Sequence, residues 1–411
     1  MTPRPPSLRR TIIYVGQFEF PDRNAAAQRS LANAMILREI GYRVVLFGLS
    51  RDLPAKARAR QVDYPGVPFE CWELPYPVSK FAWLRRIAGI RDITRMIEAH
   101  HADDLAAIIC YDYPAVAQAR LAGYVRKRGA VALGEAAEWY AVSRMRSAAT
   151  VVKNIDRPMR MRWVNPRMDG VITASAFLSE FYRRAGVPVV ELPTLLPDDL
   201  AVDTIGDATP DGQPKRLFFA GTGFIPSIVA QSVEGLKDRL DKVVAALYVA
   251  RGLGADFTFD IYGVTRADYL AIVPSQASIL DELKDRVVFR GRQPRELVRA
   301  RLAEADYSIF LRKPNVVTLA GFPTKFAESV HFGTPVITNA VGSVVSYHVE
   351  GKTGRYIDYE DSIAAGRQLA AILNGPAAEV TAMKAFCRSS GMFSYRRYLA
   401  PVEQFMMNVT A

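Results

Sequence analysis

Gly321-Phe-Pro323-Thr324-Lys325-Phe-Ala-Glu328, followed five residues later by Gly333-Thr334-Pro335-Val336-Ile337, is the stretch on which the reading of this 411-residue chain turns. A glycine turn and a proline near the first helical position predict a two-turn helix, and the second glycine predicts a tight return into a strand. The helix N-terminus offers unpaired N–H groups and the positive end of the dipole, which suit a phosphate or a sugar hydroxyl. Glu328, one turn in, can accept hydrogen bonds from the two vicinal hydroxyls of a ribose. On spacing alone it reads equally as a solvated carboxylate in an ordinary helix-to-strand turn.

Working outward, this segment closes a series of apolar runs separated by helical spacings: Arg216–Gly221, Phe257–Gly263, Arg286–Gly291, Tyr307–Leu311 and Pro335–Thr338. Upstream lies a polar stretch with Pro193, Pro197, Asp198-Asp199 and Gly206 to Pro214, read as a linker. Before it the same alternation runs through Thr11–Gly16, Arg43–Phe47, Leu105–Cys110, Ala130–Leu133 and Gly170–Thr173, with a helix predicted from about Ala25 to Ile40. Strands alternating with helices predict parallel sheets covered on both faces. The expectation is therefore two tandem Rossmann-like, doubly wound α/β domains, with ligands at the carboxyl ends of the strands and in the cleft between the domains. The expected division is 1–195, 196–387 and a C-terminal helix, 388–411, aromatic-rich from Phe393 to Met406 and expected to cross back to the first domain.

Composition excludes several classes. The chain is 50% hydrophobic and 23% charged, a globular mixture. Its longest apolar run, Val243–Ala250, has eight residues, far short of the ~18–20 that span a bilayer. Cys71, Cys110 and Cys387 form neither a disulfide framework nor a metal-ligand cluster, which reads as a reducing cytoplasm. The net charge of +11 points to an anionic partner. Nucleic acid is not expected, since no helix-turn-helix, zinc-finger or RNP-like pattern occurs.

Pro323-x-Lys325-x-x-Glu328 before Gly333-Thr-Pro-Val-Ile337 resembles the donor-site signature of GT-B glycosyltransferases, in particular the retaining enzymes of glycosyltransferase family 4 of the polysaccharide-assembly type. Gly16, Ala220-Gly221-Thr222, Lys237-Asp238, Ile261-Tyr-Gly263, Gly291-Arg292 and Ala305–Arg312 follow in the family's order, most closely over about residues 216–365. The resemblance implies that Glu328 holds the ribose and that Lys237, at the start of a helix, neutralises the diphosphate. The backbone of Gly321, Phe322, Pro323 and Thr324, with Lys325, would meet the sugar and distal phosphate. Gly221, Thr222 and Gly263 would border the donor, Arg292 would line the base, and Gly16 would let the first domain approach the diphosphate. Two departures stand out: Ala320 replaces the first glutamate of the family's E-x7-E pattern, and no arginine lies between Gly221 and Lys237, which leaves Arg312 as a substitute cation.

Breaking the bond to a diphosphate leaves negative charge on the departing oxygen, which Lys, Arg and helix N-termini can stabilise. With no Asp-x-Asp and no zinc-spaced cluster in the sequence, neither a metal nor another cofactor is expected. The resemblance implies transfer from a UDP- or GDP-type nucleotide sugar to a hydroxyl of a glycan or lipid-linked glycan. A sugar-nucleotide epimerase and a non-catalytic scaffold of the same fold are the rival readings. On the acceptor side Glu138, with Glu135 and Asp112, is the candidate carboxylate for orienting or deprotonating the hydroxyl. The basic stretch 141–168, with Arg144, Arg146, Lys153, Arg157, Arg160, Arg162 and Arg167, and a second at Phe81–Arg91, read either as solvated helices or as peripheral contacts with an anionic inner-membrane surface.

Overall fold

The structure, a computed structural model, describes residues 10–21, 23–54, 56–140, 148–198, 206–221, 224 and 236–410. The chain divides into two compact units, one of Met1–Pro197 with Tyr395–Ala411, the other of Asp198–Ser394. The C-terminal boundary thus falls at 394/395 rather than 387/388, because the helix Ala377–Ser389 runs through the expected boundary without a break.

The first unit is built on eight strands: β1 (Thr11–Gly16), β2 (Arg43–Ser50), β3 (Arg60–Val62), β4 (Glu70–Pro75), β5 (Leu105–Tyr111), β6 (Val131–Ala136), β7 (Gly170–Thr173) and β8 (Val189–Glu191). Their order is β3-β4-β2-β1-β5-β6-β7-β8, parallel apart from β3 against β4. Alternate residues of β1 feed two cores, Ile12 and Tyr14 on one face and Ile13 and Val15 on the other. That two-sided burial is why β1 and β5 read as unbroken apolar runs. Val402, Phe405 and Met406 of the last helix, Leu399–Thr410, complete the first of these cores.

The second unit carries β9 (Lys215–Ala220), β10 (Phe257–Tyr262), β11 (Val287–Gly291), β12 (Tyr307–Ile309), β13 (Val336–Thr338) and β14 (Gly354–Tyr356), all parallel, ordered β11-β10-β9-β12-β13-β14. Buried Asp306 ties the starts of two strands together, accepting from Thr209 N at 2.8 Å, Thr209 Oγ1 at 2.6 Å and Arg216 N at 2.7 Å. In each unit the winding reverses beside the first strand: β1 lies between β2 and β5, and β9 between β10 and β12. Crevices outside the carboxyl ends of strands form at such reversals. Among the described residues no helix is long and apolar enough to cross a membrane.

Candidate active site

At the reversal in the second unit the chain is thinned by glycine. Gly221 N, just past β9, donates to Tyr262 O at 3.0 Å, and Gly263 N donates to Gly291 O at 2.7 Å. Gly263 has φ +81°, and a Cβ there would sit 2.5 Å from Gly221 O, so a side chain is excluded both by backbone conformation and by contact. A Cβ on Gly221 would come 3.2 Å from Lys325 Nζ, which places that ammonium directly beside the end of β9.

Lys325 is on the helix Thr324–His331, preceded by Pro323, with no side-chain cap at its start. Phe326, Ala327 and Val330 are buried, and the helix is closed by Gly333 at φ +79°. Phe322 anchors the entry turn, packing edge-on to Tyr347 with ring centres 5.2 Å apart and lying 5.6 Å from Phe393. The Lys325 ammonium lies 5.1 Å from the Phe219 ring centre and donates to Asp238 Oδ2 at 2.7 Å.

Asp238 gathers a second cation. Arg312 Nε donates to its Oδ1 at 3.0 Å, and the two residues form an antiparallel bridge. Burial works to raise the Asp238 pKa, and Lys325 and Arg312 outweigh it and hold the carboxyl at about 2. Arg312 is itself buried, its backbone is clamped by Asn339 at 2.8 and 2.9 Å, and its Nη1 has no hydrogen-bond partner among the described residues. The extended bridge delays the next helix, which begins at Leu240; Lys237 is therefore not at a helix start but on an exposed bend three residues earlier.

Glu328 and Lys325 line one pocket of about 120 Å³ with Ala220, Ser308, Arg295 and Arg299. Burial raises the Glu328 pKa, opposed by Arg295, Lys325 and Arg299. Arg295 and Arg299 were not among the residues expected here; their i,i+4 spacing on the helix Arg295–Glu304 is the signal that would find them. Arg292 is exposed in the loop before that helix. Ala320 is fully buried at the end of the helix Val316–Ala320. Thr222 lies outside the described residues. A larger groove of about 500 Å³ runs past Tyr262 and Leu297, but its arginines Arg290, Arg301 and Arg216 are each paired, with Asp260, Glu304 and Asp306, and it contains neither Lys325 nor Glu328.

In the first unit the three acceptor-side carboxylates, Asp112, Glu135 and Glu138, line one small pocket with Arg160 and Tyr140, and differ in their partners and exposure. Glu135 is wholly enclosed, accepting from Arg29 Nε at 2.6 Å, Asn33 Nδ2 at 3.1 Å and the Tyr14 hydroxyl. Asp112, at φ +44°, is paired with buried Arg160. Glu138 is exposed in the extended segment after β6. Gly16 ends β1 opposite Tyr111, where a Cβ would lie 2.4 Å from the Phe18 ring. Arg160 of the basic stretch is not a surface cation, since it is only 4% exposed and pairs with Asp112 and Asp156. Arg144 and Arg146 fall outside the described residues.

Residues 272–386 match the family model described as Glycosyl transferases group 1. Among solved structures, sucrose-phosphate synthase from Thermosynechococcus elongatus aligns at TM-score 0.62 and 15% identity, covering 98% of this chain and 99% of that one. A glycosyltransferase from Rickettsia africae aligns at TM-score 0.65 and 11% identity, covering 98% of each chain. HepE of Anabaena, solved with UDP and glucose, aligns at TM-score 0.58 and 11% identity over 97% of this chain and 100% of that one. The chain has the GT-B glycosyltransferase fold. No curated protein matches its sequence. Within the GT-B fold the matched segment contains Arg292, Arg295, Arg299, Arg312, Lys325 and Glu328, so the family model falls on the pocket-bearing part of the second unit.

Proposed function

We propose that this chain is a retaining, metal-independent glycosyltransferase that moves a sugar from a nucleoside-diphosphate sugar to a hydroxyl of a glycan or lipid-linked glycan, in exopolysaccharide, capsule or lipopolysaccharide assembly. The observation that carries the reading is that Lys325 and Glu328, one turn apart on a single helix, line the same pocket as the end of β9. In this reading Glu328 accepts from the ribose hydroxyls. Lys325, Arg312 and Lys237, together with the N–H groups of Thr324 and Lys325 at the helix start, neutralise the diphosphate as it departs. The backbone of Gly321–Thr324 meets the sugar and distal phosphate, Gly221 and Gly263 keep the strand ends low beneath the donor, and Arg292 borders the base. HepE, of the same fold, was solved with UDP and glucose, which supports a nucleotide-sugar donor here.

On the acceptor side Glu138 orients the hydroxyl, being exposed where Glu135 is sealed in a network. A peripheral seat on the inner membrane face is supported by Ile155 and Trp163, 63% and 61% exposed, among Arg157, Arg162 and Arg167. The test is calorimetric titration with UDP and GDP, followed by incubation of the bound nucleotide sugar with candidate acceptors. Binding that disappears in Glu328→Ala, and release of free nucleoside diphosphate only when acceptor is present, are expected. Turnover of the nucleotide sugar without acceptor would point to an epimerase instead, and absence of any nucleotide binding would leave a scaffold.

A further inference from the structure

Val151, Ile155 and Trp163 are three apolar side chains left in solvent on one continuous run of helix, 37%, 63% and 61% exposed. The run consists of the helix Ala148–Met159, the π-turn Arg160–Val164 and the 3₁₀ turn Asn165–Arg167. Val151 and Ile155, four residues apart, share one stripe of the α-helix. Continued in α-helical register, that stripe would reach about residue 162 after two more turns. The π-turn alters the count. Its bond from Asn165 N to Arg160 O spans one residue more than an α-helical bond, so the stripe arrives at Trp163 instead.

The inner side of the same turn accounts for the extra residue. Arg160 and Met161 are both buried, and Arg160 pairs with Asp112 and Asp156. Pro158, which has no N–H to give the preceding turn, stands just ahead of the change of register. The outer side carries Arg162 and Trp163, both exposed. Single exposed apolar residues are ordinary on a protein surface, but three aligned on one stripe make an unpartnered face.

The charge around the stripe says what covers it. Among the described residues Lys153, Arg157, Arg162 and Arg167 come within ion-pair distance of no carboxylate, and Asp156, the one acid of the run, is taken up by Arg160 and by the N–H of Ala115. Arg167 lies over the Trp163 ring at 5.6 Å and donates to Trp163 O at 2.7 Å, which sets cation and indole side by side. Unpaired cations call for an anionic partner. Val151 and Ile155 call for an apolar one, since they have no π face on which a nucleic-acid base could stack. An anionic bilayer offers both at once: charge at the headgroups, hydrocarbon below them, and the boundary between, where indole rings settle. We propose that Val151, Ile155 and Trp163, aligned by the π-turn, are the stripe that inserts into an anionic phospholipid surface, with Arg162 and Arg167 against its headgroups. This rests on the peripheral seat proposed above and assigns that seat to one face; it does not depend on the donor pocket.

The experiment floats the full chain with vesicles of phosphatidylcholine, alone and mixed with phosphatidylglycerol. Flotation with the mixed vesicles only is expected, fading as salt is raised. Ile155→Asp and Trp163→Ala should each weaken partitioning about tenfold, while Ile155→Leu keeps it. Arg162→Gln combined with Arg167→Gln should remove the preference for phosphatidylglycerol. All four positions are exposed, so urea midpoints equal to that of wild type are expected and confirm that each variant folds. Phosphatidylcholine brominated on its acyl chains should quench indole emission in wild type and lose that effect in Trp163→Phe. Equal flotation of wild type, Ile155→Asp and Trp163→Ala overturns the stripe and leaves the seat to another face. No flotation of wild type overturns both. A shift of single-stranded RNA that Trp163→Ala abolishes, without flotation, overturns the stripe in favour of nucleic acid. Titration with UDP and GDP in the absence of vesicles tests the donor reading separately, and its failure leaves the flotation result standing.

Discussion

The ammonium of Lys325 and the carboxylate of Asp238 meet at 2.7 Å beside the carboxyl end of β9, and Arg312 Nε reaches the other oxygen of the same carboxylate at 3.0 Å. On the proposed donor-site reading, a diphosphate would meet two cations already oriented by one acid. Removing Lys325 does more than subtract a positive charge: it leaves Asp238 half-compensated where the diphosphate should lie. Lys325→Met is expected to weaken UDP or GDP binding about 10–100-fold, in the range of one charge-assisted contact. Adding Asp238→Asn should restore part of that loss. Calorimetry on the two variants checks it, and a double variant no better than the single would place the carboxylate away from the phosphates.

The same cluster has a signature in acid. Asp238 falls from its ordinary 3.8 to about 2 in the folded protein. A carboxyl depressed on folding contributes stability that is fully present above its unfolded pKa and is lost as pH falls through the folded one. The contribution is on the order of 2 kcal/mol, since one unit is about 1.4 kcal/mol. Urea midpoints of wild type and Asp238→Asn should differ most above about pH 4 and converge toward about pH 2. A constant gap across that window would remove the ion cluster as its cause.

Glu328 has the opposite sign. Its pKa is raised by burial despite Arg295, Lys325 and Arg299, so the ligand-free fold holds a proton more tightly than the unfolded chain. Keeping it ionised at neutral pH lowers stability, a cost that fades as pH falls through the raised value. Glu328→Gln should therefore melt no lower than wild type at pH 7 while binding nucleoside diphosphate about 10-fold or more weakly. Scanning calorimetry with and without UDP or GDP reads both effects. A variant that melts lower and binds normally would make Glu328 a structural carboxylate.

Much of this was legible because the determining signals are local. The apolar run ended by Gly16 marks a strand buried on both faces, those ended by Gly221, Gly263 and Gly291 mark further strands, and Pro323 to Gly333 marks one short helix with its start and stop. The Asp238–Lys325–Arg312 cluster is different. Its members lie 74 and 87 residues apart from Asp238 along the chain and come together only through the β9–β12 reversal. Charge next to charge in Lys237-Asp238 reads locally as a helix start, and the bridge to Arg312 that holds it extended leaves no local trace. Arg295 and Arg299 are visible as an i,i+4 pair, yet on the helix RELVRARLAE they look like any solvated polar face. Glu135 and Glu138 are equally acidic in sequence, and only packing tells them apart.

That last pair gives the sharpest separation of stability from activity. Glu135 is buried against Arg29, whose other contact is the Pro193 carbonyl at 2.9 Å, so the pair joins β6, the helix Ala25–Glu39 and the chain beyond β8. Glu135→Ala would strand the Arg29 guanidinium and open hydrogen bonds from Asn33 and Tyr14, a loss of about 3–5 kcal/mol for a broken buried pair. Glu138 is exposed, and Glu138→Ala should change stability by less than about 0.5 kcal/mol. On the acceptor-side reading it slows transfer about 10²–10⁴-fold, the range of a general base, with nucleotide binding unchanged. Urea unfolding and turnover measured side by side on the two variants decide the assignment: a Glu138→Ala protein that transfers at the wild-type rate ends its role at the acceptor.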